Sequence, residues 1–445
     1  MSLRQRSRAA LVLSAAALLA LTACTAVDET SPTSTGDAGD GSIKTGQGVS
    51  ADPCPDAVNA DNGCIYLGVL SDLTEGPFAA LAVPITDAQR AFWKRVNEDG
   101  GIGGYDIDID TYTRDTKYQA AEHAAQYQQI SSNIAGIAQT LGTVNTESVL
   151  PDMIERSLVA VPASWWSGYA FDDNDGGIIL ETGYSYCTEA IVGLDWFAEK
   201  QAQPEKVQAV GYPGDYGGDS AEGVKRWAEE NGAQALTAVA TGPNQVVGNQ
   251  DAVVAAVLQG GADVVVLAVG PAETAEIVGK LAASGFGGRF LGSLPTWNPA
   301  LLQSAAAPAL TGLYHHLSPY EGWDGESDAL TAIKESLGGE LPTNQGYIIG
   351  WALNYPMKAA LEAAAEAGDL TPEGIAAVID GLTVDFEGMT QEHVYGGDPQ
   401  ENAAQAVLVS VPDESVDLGL RTVERFFEGP TFDKTDYSAA CVASS

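Results

Sequence analysis

Positive charge is what this chain has least of. Lys and Arg number 21 against 60 Asp and Glu, a formal net charge of −39 over 445 residues. So acidic a surface excludes nucleic acid and an anionic membrane face as partners held by charge. Histidine is scarce too, with His123, His315, His316 and His393 the only four. None sits in a metal-ligand pattern such as HExxH. His315 and His316 are adjacent, so on a strand they point to opposite faces and cannot share an ion. All four read as structural or surface groups. A G-x-S-x-G elbow is missing as well: "GGDSAEG" offers Ser220, but Glu222 stands where the second glycine belongs. "GGIGG" and "GFGG" match neither G-x-G-x-x-G nor a P-loop and read as turns. No metal, cofactor or catalytic residue is expected, and the chain is not expected to be an enzyme.

The N-terminus carries a specific pattern. Arg4, Arg6 and Arg8 precede the apolar run from Ala9 to Leu21, which is too short to span a bilayer as a mature helix. The run closes with Leu21-Thr22-Ala23-Cys24, which resembles the bacterial lipobox. A plain secretory signal would not need a cysteine directly after Ala23. The expectation is a signal peptide over 1–23, a diacylglycerol on the Cys24 sulfur, and a protein lipid-anchored to the outer face of the bacterial cell membrane. Residues 24–53, opening with a Thr/Ser/Gly/Asp-rich stretch, read as a flexible tether.

Four further cysteines, Cys54, Cys64, Cys187 and Cys441, suit two disulfides in an exported chain. Cys54 and Cys64 flank the turn-rich "PDAVNADNG", which favours local pairing, and Cys187 with Cys441 follows by elimination. Zinc is the weaker reading, since neither pair has CxxC spacing and no histidine is near.

From Ile65 the chain alternates strand-like and helix-like segments. "IYLGVL", "IAGIAQTL" and "LVAVP" are buried runs, "YDIDIDTYT" alternates with period two, and helices are expected over 84–99, 117–132 and 147–156. The order restarts with helices over 187–201, 217–231, 251–259 and 273–284 between "KVQAVGY", "ALTAVA", "ADVVVLAV" and "RFLGS". This βαβα order implies α/β architecture: two Rossmann-like lobes with parallel sheets flanked by helices. A long helix over 344–367 follows. A second helix is capped by Thr371, with Pro372 in its first turn and Gly381 as its stop. "AAQAVLVSV" and "LRTVERFF" are strand-like.

Ligands of open α/β sheets sit beyond the carboxyl ends of the strands. Three segments fit that position. "TLGTVNTES" presents Thr143, Asn145 and Thr146 where a helix begins, suiting an anionic group. "VPASWWSG" presents Ala163, Ser164 and two adjacent tryptophans, and "GYPGDYGGDS" presents Asp215 and Tyr216.

With "YLGVLSDLTEGPFA…AQRAFWKRVNEDGGIGGYDIDI", "QTLGTVNTES", "LVAVPAS", "AVGYPGDYGGDSAEGVKRWAEENGA" and "GGADVVVLAVGPAETAEIVGKLAASGF", the chain from about Ile65 onward resembles the branched-chain amino-acid (Leu/Ile/Val-type) substrate-binding lipoproteins of ABC transporters. The resemblance implies a type I periplasmic-binding fold whose lobes close on a ligand. They would comprise 54–183 plus 319–385 and 184–318 plus 386–445, joined by a three-strand hinge with crossovers near Gly183, Pro319 and Phe386. It implies a monomer that hands a small solute to an ABC permease in the membrane. In that family the loop matching Thr143 takes a ligand carboxylate, the loop matching Ala163 and Trp165 takes the amino group, and the tyrosine matching Tyr216 closes over the ligand.

Two positions depart from the pattern. The loop "SLPTWN" has Leu294 where an acidic residue tends to pair with the ligand ammonium, and Gly270-Pro271 stand where an aromatic is often found. An amino acid is therefore in question, and another small carboxylate, an amide or an aromatic acid enters. Trp165 is expected to wall the ligand with Trp166 packed inward, and Trp297 to supply a second aromatic wall; the alternative is that Trp165 and Trp166 both plug the core. A sensor of the same fold, or a lipoprotein cell-wall hydrolase needing a nucleophile and base, are the competing functions.

Overall fold

The computed structural model describes residues 43–443, so the signal peptide, Cys24 and the first part of the tether lie outside the described residues. The first lobe is built around β1 (Gly63–Ser71), an almost wholly buried run, as a strand covered on both faces requires. It pairs in parallel with β2 (Tyr105–Asp108) and β3 (Thr113–Asp115) along one edge and with β4 (Gly136–Leu141) on the other; β5 (Ala160–Ala163) extends the sheet beyond β4. The period-two segment is thus two strands rather than one. Between them Asp108 accepts a hydrogen bond from the Thr111 N–H at 2.9 Å, a local turn that competes with the ladder.

The second sheet runs β6 (Lys206–Gly211), β7 (Val264–Ala268), β8 (Arg289–Gly292) and β9 (Tyr314–Ser318) in parallel, with β6 and β8 flanking β7. Antiparallel β10 (Val407–Pro412) and β11 (Leu420–Phe427) follow β9. "ALTAVA" does not form a full strand: only the pairs Gln234–Ala235 and Val239–Ala240 join the β6 edge, half-exposed or exposed, which blunts that edge.

Helix α1 (Ala79–Glu98) starts before the expected Pro84 and carries that proline inside it. A proline there frees the carbonyl four residues back. The Asn344 side chain donates to the Ala80 carbonyl at 2.8 Å and takes up that acceptor. α2 (Ala120–Ile130) covers the expected second helix more tightly. The helix expected over 147–156 is instead α3 (Thr143–Glu147) and α4 (Leu150–Glu155), restarted at Pro151. In the second lobe lie α5 (Tyr186–Lys200), α6 (Asp215–Asn231) and α7 (Pro271–Ala283). The long helix expected over 344–367 is broken into α8 (Gly346–Ala352) and α9 (Asn354–Glu366). Pro356 has no N–H for the Ala352 carbonyl, and Asn354 turns its side chain back to the Gly350 carbonyl at 2.6 Å.

Part of the expected tether is docked. Lys44–Thr45 pairs with Asp369–Leu370 and Val49–Ser50 with β1. Polar composition suggested a free chain, but the Gln47 amide donates to the Ser131 and Ile134 carbonyls at 2.7 and 2.9 Å, which holds the segment down. Both cysteine pairs are joined as expected, Cys54 to Cys64 and Cys187 to Cys441.

Three segments cross between the sheets and touch one another. Gly183, at φ +80°, lies so close to Pro319 that a Cβ would fall 2.6 Å from its ring. The Glu321 N–H bonds the Met389 carbonyl at 2.7 Å, and the Tyr395 hydroxyl bonds the Glu181 carbonyl at 2.8 Å. Phe386 packs edge-on against Tyr355 of α9, with ring centroids 5.6 Å apart.

Candidate functional site

The carboxyl ends of β1, β4, β5, β6 and β8 converge on one cavity of about 300 Å³, and each sends a loop to its wall. Phe78 follows β1. Leu141, Thr143 and Asn145 follow β4, and Ala163, Ser164 and Trp165 follow β5. From the second lobe come Tyr212, Asp215 and Tyr216 after β6 and Pro295 after β8, while Tyr186 opens α5. The two sides meet: the Phe78 ring lies 4.8 Å from Tyr118 and 6.3 Å from Tyr212, both edge-to-face. Tyr186 joins the rest, 6.0 Å from Trp165 and 4.5 Å from Tyr216. Six aromatic side chains thus line the cavity.

Close backbone packing places Tyr212 and Asp215. Gly217, in the first turn of α6, sits against the end of β6, where a Cβ would come within 2.1 Å of the Tyr212 carbonyl. Asp215 is 3 % exposed. One oxygen accepts the Tyr216 N–H at 3.0 Å, and Oδ2 has no hydrogen bond. Burial raises its pKa, and the Thr143 hydroxyl facing it from the other lobe offsets part of that rise. The first N–H groups of α3, those of Thr143 and its neighbours, have no acceptor within the helix.

Of the nine side chains singled out from the sequence, Thr143, Asn145, Ala163, Ser164, Trp165, Asp215 and Tyr216 line this cavity. Thr146 does not: it is buried behind the loop, its hydroxyl bonded to the Gly142 carbonyl and to Thr140, both at 2.9 Å. Nor does Trp297. It stacks on Tyr314 with centroids 5.8 Å apart and donates its N–H to the Leu418 carbonyl, so it belongs to the second-lobe core. Trp165 lies on the cavity wall and donates its N–H to the Thr182 carbonyl in the first crossing segment. Trp166 is fully buried against Tyr169 and donates to the Val442 carbonyl at 2.9 Å.

Phe78, Tyr118, Tyr186 and Tyr212 are wall residues that sequence reasoning missed. Tyr212 carried a signal, as the first residue after a buried strand; Tyr118 and Tyr186 reach the cavity only through tertiary packing. A carboxyl group lies beneath the Leu294 loop, outside the cavity lining. Glu189 of α5 accepts the Leu294 N–H at 3.1 Å and the Tyr184 hydroxyl at 3.2 Å, and burial pushes its pKa up to about 7. The histidines take no part: none lines the cavity, and burial holds His123 and His316 down at about 4.

A family model described as "Periplasmic binding protein" matches residues 65–415. No curated protein matches the chain by sequence. Among solved structures, the "Fatty acid ABC transporter substrate-binding protein from Thermomonospora curvata" is 25 % identical, with TM-score 0.78 over 88 % of this chain and 97 % of that one. A "branched chain amino acid ABC transporter from Thermus thermophilus with bound valine" is 18 % identical, with TM-score 0.72 over 84 % of this chain and 98 % of that one. A solute-binding protein from R. palustris "in complex with 4-hydroxybenzoate" is also 18 % identical, with TM-score 0.65 over 83 % and 98 %. At 18 % identity the last two show a shared fold.

Proposed function

The chain belongs to the periplasmic binding protein family, whose model spans residues 65–415, and from that premise we propose that it is the lipid-anchored solute receptor of an ABC importer. It captures a small solute of the amino-acid, carboxylate or amide kind between its lobes and delivers it to a membrane permease. One observation carries this reading: a cavity of about 300 Å³ walled from both lobes at the carboxyl ends of their strands. That is the size and position of a small-molecule site in such sheets. The segments around Gly183, Pro319 and 386–395 act as the hinge, and Thr143, Asn145, Ala163, Ser164, Trp165, Asp215 and Tyr216 hold the solute. The fatty-acid and 4-hydroxybenzoate names of similar structures support a solute with an apolar body, as does the aromatic wall. Cys24 supplies the anchor and keeps the receptor near its permease.

The test is a thermal-shift panel on unlipidated protein beginning after Cys24, stripped of co-purified solute. It holds branched-chain, polar and aromatic amino acids, their deaminated acids and amides, and medium-chain fatty acids. A true solute at a hundredfold excess over its Kd stabilises the native state by about 2.7 kcal/mol. A flat response across this panel and to the matching simple amines overturns the receptor reading.

A further inference from the structure

The wall of the cavity combines aromatic faces with one carboxyl group, Asp215, and no basic side chain faces it. Among the described residues no Lys, Arg or His lines it. Lys117, beside the wall residue Tyr118, turns away to Glu75 at 3.4 Å. Four carboxyl groups surround the tyrosines instead. Asp215 neighbours Tyr118 and Tyr186, Asp72 neighbours Tyr118, Glu189 neighbours Tyr186 and Tyr216, and Glu273 neighbours Tyr212. Three of the four are engaged on the protein side. Asp72 accepts the Gly76 and Phe78 N–H groups, Glu189 the Leu294 N–H, and Glu273 the Tyr212 hydroxyl. Asp215 also accepts a protein donor, the Tyr216 N–H at Oδ1, but it alone of the four lines the cavity, and its Oδ2, in a residue 3 % exposed, has no hydrogen bond.

A carboxylate buried in that way is costly unless a donor or an opposite charge meets it. Trp and Tyr faces attract cations through their quadrupoles, more strongly once water is excluded. A ligand carboxylate entering alone would meet Asp215 with no basic side chain to offset the repulsion. From this geometry we infer that the solute's polar head is an organic ammonium, seated against Asp215 Oδ2 and boxed by Trp165, Tyr186 and Tyr216, with its apolar body along Phe78 and Tyr118. A carboxylate on the solute is not required. The acidity of the whole chain draws such cations toward the cleft.

This inference rests on the cleft being the solute site, and the experiment separates the two. Calorimetric titration of the stripped protein uses matched probes on two skeletons: phenethylamine, hydrocinnamate and hydrocinnamamide, and decylamine, decanoate and decanamide. On at least one skeleton the amine binds at least about tenfold more tightly than the acid and the amide. Asp215→Asn weakens the amine at least about tenfold and brings it level with the amide. If on neither skeleton the amine binds more tightly than its acid and amide, or if Asp215→Asn leaves amine affinity unchanged, the ammonium assignment is overturned while the receptor reading stands on any hit in the wider panel. If no probe binds and the wider solute panel is also flat, both fall. The comparison of probes on wild-type protein decides the matter even if the variant folds poorly.

Discussion

Trp166 donates its indole N–H to the carbonyl of Val442, a residue 276 positions further along the chain, at 2.9 Å. The preceding residue, Cys441, is bonded to Cys187 in α5, and its N–H reaches the Ser167 hydroxyl at 2.8 Å. The tail is therefore fastened to the loop after β5 and to the helix after the first crossing at the same time. Asp219 of α6 strengthens the junction, accepting the Ser167 N–H at 2.9 Å and the Cys187 N–H at 3.2 Å.

The two disulfides are expected to differ in worth. One closes a loop with a sequence separation of 10 and the other of 254. On the loop-entropy account the longer closure stabilises by roughly 2–3 kcal/mol more. Denaturant titrations of Cys54→Ser/Cys64→Ser and Cys187→Ser/Cys441→Ser proteins should show the larger loss in the second. Equal losses would remove the tail from any special structural role.

Trp165→Ala opens the cavity wall and removes the bond to the Thr182 carbonyl. Stability should fall by about 3 kcal/mol, in the range for large aromatic truncations. Affinity for whichever solute the panel identifies should drop by more than about tenfold. Trp297→Ala should lower stability similarly and leave affinity within about threefold, because Trp297 lies away from the cavity. Equal binding losses in the two variants would contradict the placement of the site.

Glu189 gives a pH signature with a definite sign. Its folded pKa is raised to about 7 by burial, above an ordinary Glu at about 4.3. As pH rises the unfolded chain releases this proton first. The stabilisation is complete below the unfolded pKa and is lost as pH climbs through the folded one. Glu189→Gln has no proton to lose. Its melting temperature relative to wild type should therefore be higher at about pH 8 than at about pH 5, by a few degrees. Scanning calorimetry at both pH values checks it, and a difference that does not vary with pH would show that Glu189 is not neutral in the fold.

Gly217→Ala tests the packing that positions Tyr212. The added Cβ would fall 2.1 Å from the Tyr212 carbonyl, so helix and strand must part. A cost of about 1–3 kcal/mol is expected, with weaker solute binding because Tyr212 shifts. Unchanged binding would mean that Tyr212 is not a working wall.

The lobes were legible because buried parallel strands are long apolar runs, as "ADVVVLAV" and "IAGIAQTL" show. Loops after those runs held most of the wall, since a strand's carboxyl end is where a doubly wound sheet opens. Helix boundaries were less legible. Pro84 looked like a start, yet it lies inside α1 because Asn344, remote in sequence, accommodates the freed carbonyl. The site residues that escaped notice have the same cause. Tyr186 opens a helix of the second lobe, and only the crossing of the chain brings it against Trp165. Glu189 could not be foreseen under Leu294 because the two are 105 residues apart.

Trp165 and Trp166 are joined by one peptide bond and yet occupy unlike surroundings, one on the cavity wall and the other beneath the C-terminal tail. The pair amounts to two optical reporters on adjacent residues. Emission lost on replacing Trp165 should carry the spectral response to a solute seated in this cavity, whereas emission lost on replacing Trp166 should carry the response to reduction of Cys187–Cys441. A single loop thus lets occupancy and covalent integrity be followed separately, each in its own single-replacement variant.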